Sequence, residues 1–487
     1  MKSIWHQSAA GTPRPPLEGD VEAGAAVIGG GMAGILTAAL LEEAGVRTVV
    51  LEADRVGSGQ TGNTTAKVTA QHGAAYHRLE KSLGEEAARL YAVANQTAVE
   101  SYQRMIEDRR IDCGWERLPA ILYAVEDGDL LRREAAAQER AGLPVRLTED
   151  SGLPFPVLGA VRCGNQARFH PLRFLYALAE GLTVYEGSRV LEAGEGWLRT
   201  AGGRVRAERI VFCCHYPFVN APGYYFLRMH QERSYVLALR GGPKLPGMYY
   251  GADTGGISLR NAGEYLLAGG GGHRTGENRS GGRYASLLKS ASLLFPGASE
   301  AARWSAQDCV TLDGVPYAGR FAASTPGWYA ATGFGKWGMT GSMAAAQLLR
   351  DQILGQSNAW EGLFSPQRFT PGASAAALLE EGLHAVRNLS RRPLEPPRGA
   401  AEALPPGHGG VVELDGEKLG VYKAEDGTLY TVDPRCPHLG CQLEWNPDER
   451  SWDCPCHGSR FDFQGRLLSG PAQAELAAAR KQPAAAR

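Results

Sequence analysis

The hydrophobic rhythm of the chain changes several times, and each change marks a different element. Residues 25–28 (Ala-Ala-Val-Ile) are an apolar run that opens on glycines, and residues 23–41 carry no charge. Such a run reads as a buried strand, and the residues after it predict a helix over 35–44 and a second strand over 48–51. An uncharged stretch of this length also suits a membrane span, but glycines crowd its first half and a strand–turn–helix pattern surrounds it. Spaced Leu, Ala and Tyr predict helix over 76–110, and a charged helix comes next over 127–141 among short strands. Residues 166–182 read as a strand leading into a helix, with Pro171 in the first helical turn. An apolar strand is expected over 205–214, including Cys213 and Cys214 as packing residues. Between 232 and 267, runs such as Ser234-Tyr235-Val236-Leu237-Ala238-Leu239 predict strands of a large mixed sheet. Helices are expected over 342–354 and 374–389.

Further on, Pro393, Pro396, Pro397, Pro405 and Pro406 give the composition of a linker. Beyond it, short strands over 411–414, 419–423 and 429–432 alternate with turns at Asp415-Gly416 and Asp426-Gly427. The first twenty residues read as an extended arm, and the Ala-rich tail from Ala472 is expected to fray. There is no internal repeat.

Composition changes this picture little. At 487 residues there is room for two or three domains, and 63 glycines exceed the ordinary share of about 7%. A net charge of −1 leaves no strongly basic face, which argues against nucleic acid as a partner. The N-terminal residues hold no apolar signal core, so a cytoplasmic location without a membrane span is the expectation.

The strongest chemical signal lies near the C-terminus. Cys436-Pro-His438-Leu-Gly-Cys441 and Cys454-Pro-Cys456-His457-Gly-Ser459 each offer one thiolate and one imidazole as Cys-x-His and Cys-x-x-His. Cys436, His438, Cys454 and His457 suit a [2Fe–2S] cluster with one iron on two cysteines and the other on two histidines. A zinc site uses the same residue types, but zinc fingers group Cys with Cys and His with His. Neutral imidazoles in place of thiolates raise the potential, so single-electron transfer is expected.

The second signal is the turn after residue 28. Gly29, Gly31 and Gly34 fit Gly-x-Gly-x-x-Gly between a strand and a helix, and Met32 and Ala33 complete the turn. Gly29 and Gly31 allow a pyrophosphate close to the backbone, the helix N-terminus attracts it, and Glu52 at the end of the second strand suits ribose hydroxyls. Ala53 follows Glu52, and the small residues Gly59, Thr61, Thr64, Thr65 and Ala66 would let a loop lie close to a large ring system.

These motifs carry two resemblances. Residues 328–341, with Gly333, Gly335, Gly338, Met339 and Thr340, resemble the strand–loop–helix that closes over the flavin in the D-amino-acid oxidase, glycine oxidase and sarcosine oxidase superfamily. The helix expected over 342–354 would then aim its N-terminus at the pyrimidine end of the flavin. Asp313-Gly-Val-Pro316 would approach from the other side. The C-terminal motifs resemble Rieske domains, which implies a disulfide between Cys441 and Cys456. It also implies a hydrogen bond from Ser459 towards a cluster sulfur, while Phe461 replaces a tyrosine donor of high-potential relatives.

Nearly the whole chain is similar to bacterial FAD-dependent oxidoreductases fused to a C-terminal Rieske domain. The implied fold mixes α/β and α+β: a Rossmann-like FAD-binding domain interleaved with a mixed-sheet substrate domain, plus a small all-β Rieske domain. The implied boundaries are an arm over 1–20, the oxidoreductase over 21–370, helix and linker over 371–407, Rieske over 408–475 and a tail over 476–487. FAD-binding parts fall at 21–75, 155–232 and 300–365, and substrate parts at 76–154 and 233–299. The cofactors implied are FAD and a Rieske [2Fe–2S] cluster.

The expected activity is an amine or amino-acid dehydrogenase, with flavin passing electrons to the cluster and on to a one-electron protein such as ferredoxin. The reverse flow, from ferredoxin to a flavin that reduces its substrate, uses the same parts, as does a non-catalytic electron-transfer module. Lys67 and Lys336 are candidate cations near the flavin ring. Arg233, Tyr235, His215, His230, His273 and Arg274 are candidates for facing the substrate, Arg233 as a carboxylate clamp. Cys309 lies near where relatives attach flavin covalently without matching that position. His72 and His77 have the spacing for a mononuclear iron of a Rieske oxygenase but lack a carboxylate partner. Gly269 to Gly272 fails as a second dinucleotide fingerprint, which argues against a nicotinamide-dependent reductase.

Overall fold

The structure, a computed structural model, describes residues 2–394, 403–414 and 416–477. The centre of the expected linker, Asp415 of one expected turn and most of the expected tail lie outside the described residues.

Two large sheets form the body. The first runs Tyr317–Arg320, Trp328–Thr332, Arg204–Phe212, Val21–Ile28, Thr48–Leu51, Thr183–Tyr185. Its centre is parallel, with Val21–Ile28 between Arg204–Phe212 and Thr48–Leu51. Ala25, Ala26, Val27 and Ile28 are buried, as a parallel strand covered on both faces requires. Helices Met32–Glu43 and Gly338–Ile353 share one apolar core. Gly34 makes the close helix–strand approach: a Cβ there would sit 1.9 Å from the Gly29 carbonyl oxygen.

The second sheet is mixed. It runs Ser299–Thr311, Met229–Arg240, Tyr265–Arg274, Ser258–Ala262, Met248–Gly251, Glu116–Ala124, Gly159–Arg168, Lys67–Val68. Its strands come from segments lying between those of the first sheet, so the chain passes repeatedly from one sheet to the other. A groove and an adjoining cavity lie where the two sheets meet. The C-terminal region is all antiparallel: three strands over Gly409–Leu414, Glu417–Lys423 and Leu429–Val432, then four short ones from Glu444–Asn446 to Leu467–Ser469.

Several boundaries differ from expectation. The first helix of the nucleotide turn begins at Met32 and the late one at Gly338, because glycines in both first turns break the apolar rhythm there. The stretch 76–110 is two helices, Tyr76–Leu83 and Glu85–Asp108, split at Gly84 with φ +90°. The arm is not extended throughout: Ile4–Ser8 is a helix capped by Ser3, with Ile4 and Trp5 buried. Nor do residues 472–477 fray, since Ala472 and Leu476 are buried in the Rieske-side core. The uncharged stretch 23–41 is strand, turn and helix, and among the described residues no helix is long and apolar enough to cross a membrane.

Candidate functional site

The glycine turn opens the groove. Gly29, Gly31, Met32, Ala33, Glu52, Ala53, Gly59, Thr61 and Thr64 line it, with Gly333, Gly335, Gly338 and Met339 opposite. Gly31 precedes a helix with no acidic residue in its first turn; Met32 N donates to Thr61 Oγ1 at 2.9 Å, and the helix N-terminus otherwise faces the groove with its positive end toward an anion. Only Thr61 Oγ1 comes within 4 Å of a Cβ built on Gly31, which leaves the backbone open to the groove. Glu52 accepts from Gly30 N at 2.6 Å and Asp54 N at 2.8 Å, leaving lone pairs for further donors. Burial raises its pKa. The other predicted residues shape the walls from behind. Gly34 packs on Gly29, Thr65 lines the adjoining cavity, Ala66 is fully buried, and Thr340 Oγ1 donates to Thr69 O at 3.0 Å.

That adjoining cavity, about 760 Å³, is lined by Lys67, Tyr235, Tyr250, Ser258, Glu232, Asp308 and Lys336 among others. Lys67 is not a solvated surface charge: its amine meets the Ser258 hydroxyl, and burial with Arg260 nearby brings its pKa down to about 7. Lys336 lies 3.5 Å from Glu232. Burial opposes the Lys336 charge, but Tyr250, Glu232 and Asp308 outweigh it and raise its pKa. Asp308 lines both the groove and the cavity. Burial pushes its carboxyl up to about 7, against the pull of Lys336. Sequence reading missed Asp308, since a lone acid in a strand carries no local signature.

Arg233, expected as a carboxylate clamp, lines neither the groove nor the cavity. It is 2% exposed and is paired with Glu449 of the C-terminal region, Ser305 and Gln307. The carboxylate it clamps belongs to its own chain. The Tyr235 hydroxyl lies 3.0 Å from His273 Nε2 and accepts from Asn278 at 3.1 Å, so it is engaged at the same boundary. His215 borders the groove, 3.2 Å from Gln231, and burial lowers its pKa to about 4. His230 pairs with Glu381 at 3.1 Å, and Arg274 binds Glu381 through two contacts of 2.5 and 2.6 Å.

Other readings close. His72 contacts Tyr91 and Thr69, and His77 contacts Glu134, so the two share no metal position. Gly269 to Gly272 lie within the strand Tyr265–Arg274, not in a turn before a helix. The Cys309 thiol borders the groove and donates to His215 O at 3.4 Å, and burial raises its pKa, which keeps it protonated.

In the C-terminal region, Cys436 and His438 sit in one loop, and Cys454 and His457 in the loop after Ser451–Asp453. Cys441 and Cys456 are joined in a disulfide that ties the two loops, with Cα atoms 6.6 Å apart. The Nδ1 atoms of His438 and His457 are buried and meet no protein partner. Burial lowers the pKa values of His438 to about 4 and His457 to about 3, holding both rings neutral as metal ligation requires. The Cys454 thiol, the His438 N–H and the Ser459 hydroxyl all favour thiolate at Cys436. Among the described residues, no three of these four donors lie within 4.8 Å of one another. A single zinc ion would draw all four to within roughly 4 Å, so the spread suits a two-iron cluster.

This loop pair is docked on the body. Gln231 Nε2 donates to His457 O at 2.6 Å, and Gln307 Nε2 to Gly458 O at 2.7 Å. His438 Nε2 lies 2.7 Å from Asn220 Oδ1. The Phe226 ring stands edge-on to both imidazoles, at 6.3 Å from His438 and 5.7 Å from His457. Leu468, Ser469, Gly470, Pro471 and Gln473 help to wall the groove.

The profile of the FAD dependent oxidoreductase family (DAO) matches residues 25–352. The chain belongs to that family. The Rieske [2Fe-2S] domain profile matches residues 397–480. A Bacillus subtilis (strain 168) protein, YhfW, whose name describes it as a Rieske 2Fe-2S iron-sulfur protein, is 36% identical over 97% of this chain and 96% of its own length. The fold is shared with a glycine oxidase from Geobacillus kaustophilus at TM-score 0.62 and 22% identity, covering 72% of this chain and 99% of that one. It is shared also with an L-proline dehydrogenase from P. horikoshii at TM-score 0.60 and 18% identity, over 73% and 99% of the two chains. The protein is thus an FAD-dependent oxidoreductase with a Rieske domain, and FAD and a [2Fe–2S] cluster are its cofactors.

Proposed function

We propose that this chain is an amine or amino-acid dehydrogenase whose electrons leave through its own Rieske cluster. The groove residues from Gly29 to Thr64, with Gly333 to Met339 opposite, would hold FAD. Cys436, His438, Cys454 and His457 would hold the cluster. Bound there, FAD supplies a two-electron acceptor that can release electrons singly, and the cluster supplies a one-electron relay.

The remaining work falls to the chain. The N-terminus of Met32–Glu43 takes the pyrophosphate, and the free lone pairs of Glu52 accept ribose hydroxyls. The N-terminus of Gly338–Ile353, at the edge of both cavities, favours negative charge, and Lys336 adds a fixed cation. Asp308 is placed to accept the proton of a substrate ammonium. With FAD bound, the carbon beside nitrogen would give its hydride to the flavin, and the imine left behind would be hydrolysed by water. Through the cluster held by Cys436, His438, Cys454 and His457, the two electrons would then pass singly to an external acceptor such as a ferredoxin.

The observation that carries this reading is the docking of the cluster histidines against the flavin side, with His438 on Asn220 and both imidazoles on Phe226. The test is an anaerobic screen of glycine, sarcosine, L-proline and simple primary amines. Flavin bleaching is followed by absorbance and cluster reduction by electron paramagnetic resonance. Bleaching followed by the reduced Rieske signal supports the reading. Bleaching with a cluster that stays oxidised refutes the pairing. Reduction only by reduced ferredoxin reverses the direction of flow.

A further inference from the structure

The N-terminal arm is tied to the loop that follows Glu52. Ser3 Oγ donates to the Gly62 carbonyl, and Trp5 Nε1 donates to the Thr64 carbonyl at 2.7 Å. His6 packs so closely that a Cβ at Gly62 would lie 2.0 Å from its ring. From the body, Trp304 Nε1 donates to the Asn63 carbonyl at 2.8 Å and Arg260 Nη1 to the Ala66 carbonyl at 2.5 Å. The Arg260 guanidinium lies 5.3 Å from the Trp5 ring centre, so the two sets of anchors are joined.

Carbonyls at 62, 63, 64 and 66 are therefore each fixed by a side chain from outside the loop. Ala66 sits at φ +53°, a conformation that persists in a residue with a Cβ only when its surroundings impose it. The opposite side of this loop is groove wall. Thr61 and Thr64 line the groove, and Thr61 Oγ1 accepts from Met32 N at 2.9 Å, at the mouth of the helix. A peptide that loses its carbonyl donor must turn to find another, and the turn moves the atoms on its groove side.

We propose that Ser3 and Trp5 make the N-terminal arm a strap that retains FAD, by holding the carbonyls of Gly62 and Thr64 away from the groove. This rests on the reading of the groove as the FAD site. Ser3 and Trp5 are positioning residues here. Trp5 is 3% exposed, so its ring also fills core space.

The test uses full-length holoprotein. FAD release is followed by the rise in flavin fluorescence after dilution into FAD-free buffer, and cluster content by visible circular dichroism of the same samples. Trp5→Phe keeps most of the ring and removes the N–H, and Ser3→Ala removes the other donor. Each should speed FAD release by roughly fivefold, the scale set by one lost anchoring hydrogen bond, with the cluster signal unchanged. Trp5→Ala should release FAD faster still. Wild-type release rates in Trp5→Phe and Ser3→Ala overturn the proposal. So does loss of FAD and cluster together, which marks general unfolding. Gly31→Val, which fills the groove, separates the two readings. If it binds FAD normally, the groove assignment fails and the strap with it. If it binds none while Trp5→Phe retains FAD like the wild type, only the strap fails.

Discussion

The imidazole of His438 crosses from the cluster loops to the flavin side, where its Nε2 lies 2.7 Å from Asn220 Oδ1. With Nδ1 kept for iron, Nε2–H is the donor and Asn220 the acceptor. The contact fixes the orientation of one cluster ligand relative to the groove. Asn220→Ala removes it while leaving the four cluster ligands and the residues that line the groove in place. A hydrogen bond of about 1 kcal/mol held in the docked geometry corresponds to about fivefold, so electron transfer from photoreduced flavin to cluster should slow by about that factor. Flavin reduction itself should keep its wild-type rate. Stopped-flow absorbance resolves the two steps, and an unchanged second step would show that the contact carries no positioning role.

The boundary also holds a buried charge network. Arg233 and Glu449 have side chains 2% and 10% exposed, and Arg460 pairs with Glu449 and Asp453. Removing one partner of such a pair strands a charge, at a cost of about 3–5 kcal/mol. Glu449→Gln and Arg233→Met should each lower the midpoint of chemical unfolding clearly more than an exposed change such as Glu86→Gln. Burial opposes ionisation of Glu449, but Arg233 and Arg460 outweigh it and hold its pKa at about 2, down from 4.5. A depressed carboxyl contributes stability above its unfolded pKa and loses it as pH falls through the folded one. The network should therefore weaken between about pH 4.5 and 2, and Glu449→Gln should flatten stability over that window.

What the sequence made legible was local. The turn at Gly29, Gly31 and Gly34 needs neighbouring residues only, and the cluster motif is written in two six-residue stretches. Arg233 is paired with Glu449, 216 residues away, and no periodicity records such a pairing. The same holds for Trp5 with Thr64 and for Gln231 with the His457 carbonyl. The arm read as extended because its single helical turn is stabilised by burial of Ile4 and Trp5, not by propensity. Asp308 was invisible for the opposite reason: one acid amid alternating strand residues looks like an outward-facing position until the cavity beside it is seen.

Asp308 sets a pH expectation for catalysis. Its carboxyl, pushed up to about 7 by burial, must be ionised to accept a proton. The rate of flavin reduction by an amine substrate should rise with pH through about 7. Asp308→Asn should lower that rate by roughly 10²-fold, the scale of lost general-base catalysis, and remove the inflection. Lys67 also titrates at about 7. Lys67→Met separates them, because it should leave the Asp308 inflection in place. Dithionite should still bleach the flavin of Asp308→Asn at the wild-type rate, since that reaction needs no proton acceptor for a substrate.

Ser459 offers a measurement that needs no substrate. It is fully buried, its hydroxyl is hydrogen-bonded to Cys436, and its Oγ accepts from Ala472 N at 3.0 Å. A donor to a cluster sulfur stabilises the more negative, reduced state and so raises the potential. Removing about 1 kcal/mol of that stabilisation lowers a one-electron potential by about 40 mV. Ser459→Ala should show this drop in a titration followed by electron paramagnetic resonance. Ser459→Thr, which keeps the hydroxyl, should restore most of it. The resemblance to Rieske domains implies a second donor position at Phe461, so Phe461→Tyr tests the same physics with the opposite sign. Its ring is fully buried, and the added hydroxyl gains a partner only if it reaches cluster sulfur. A potential raised by Phe461→Tyr and lowered by Ser459→Ala would place both side chains in the field of one cluster. A potential that moves with neither would mean that the hydroxyl at 459 serves the Ala472 backbone alone.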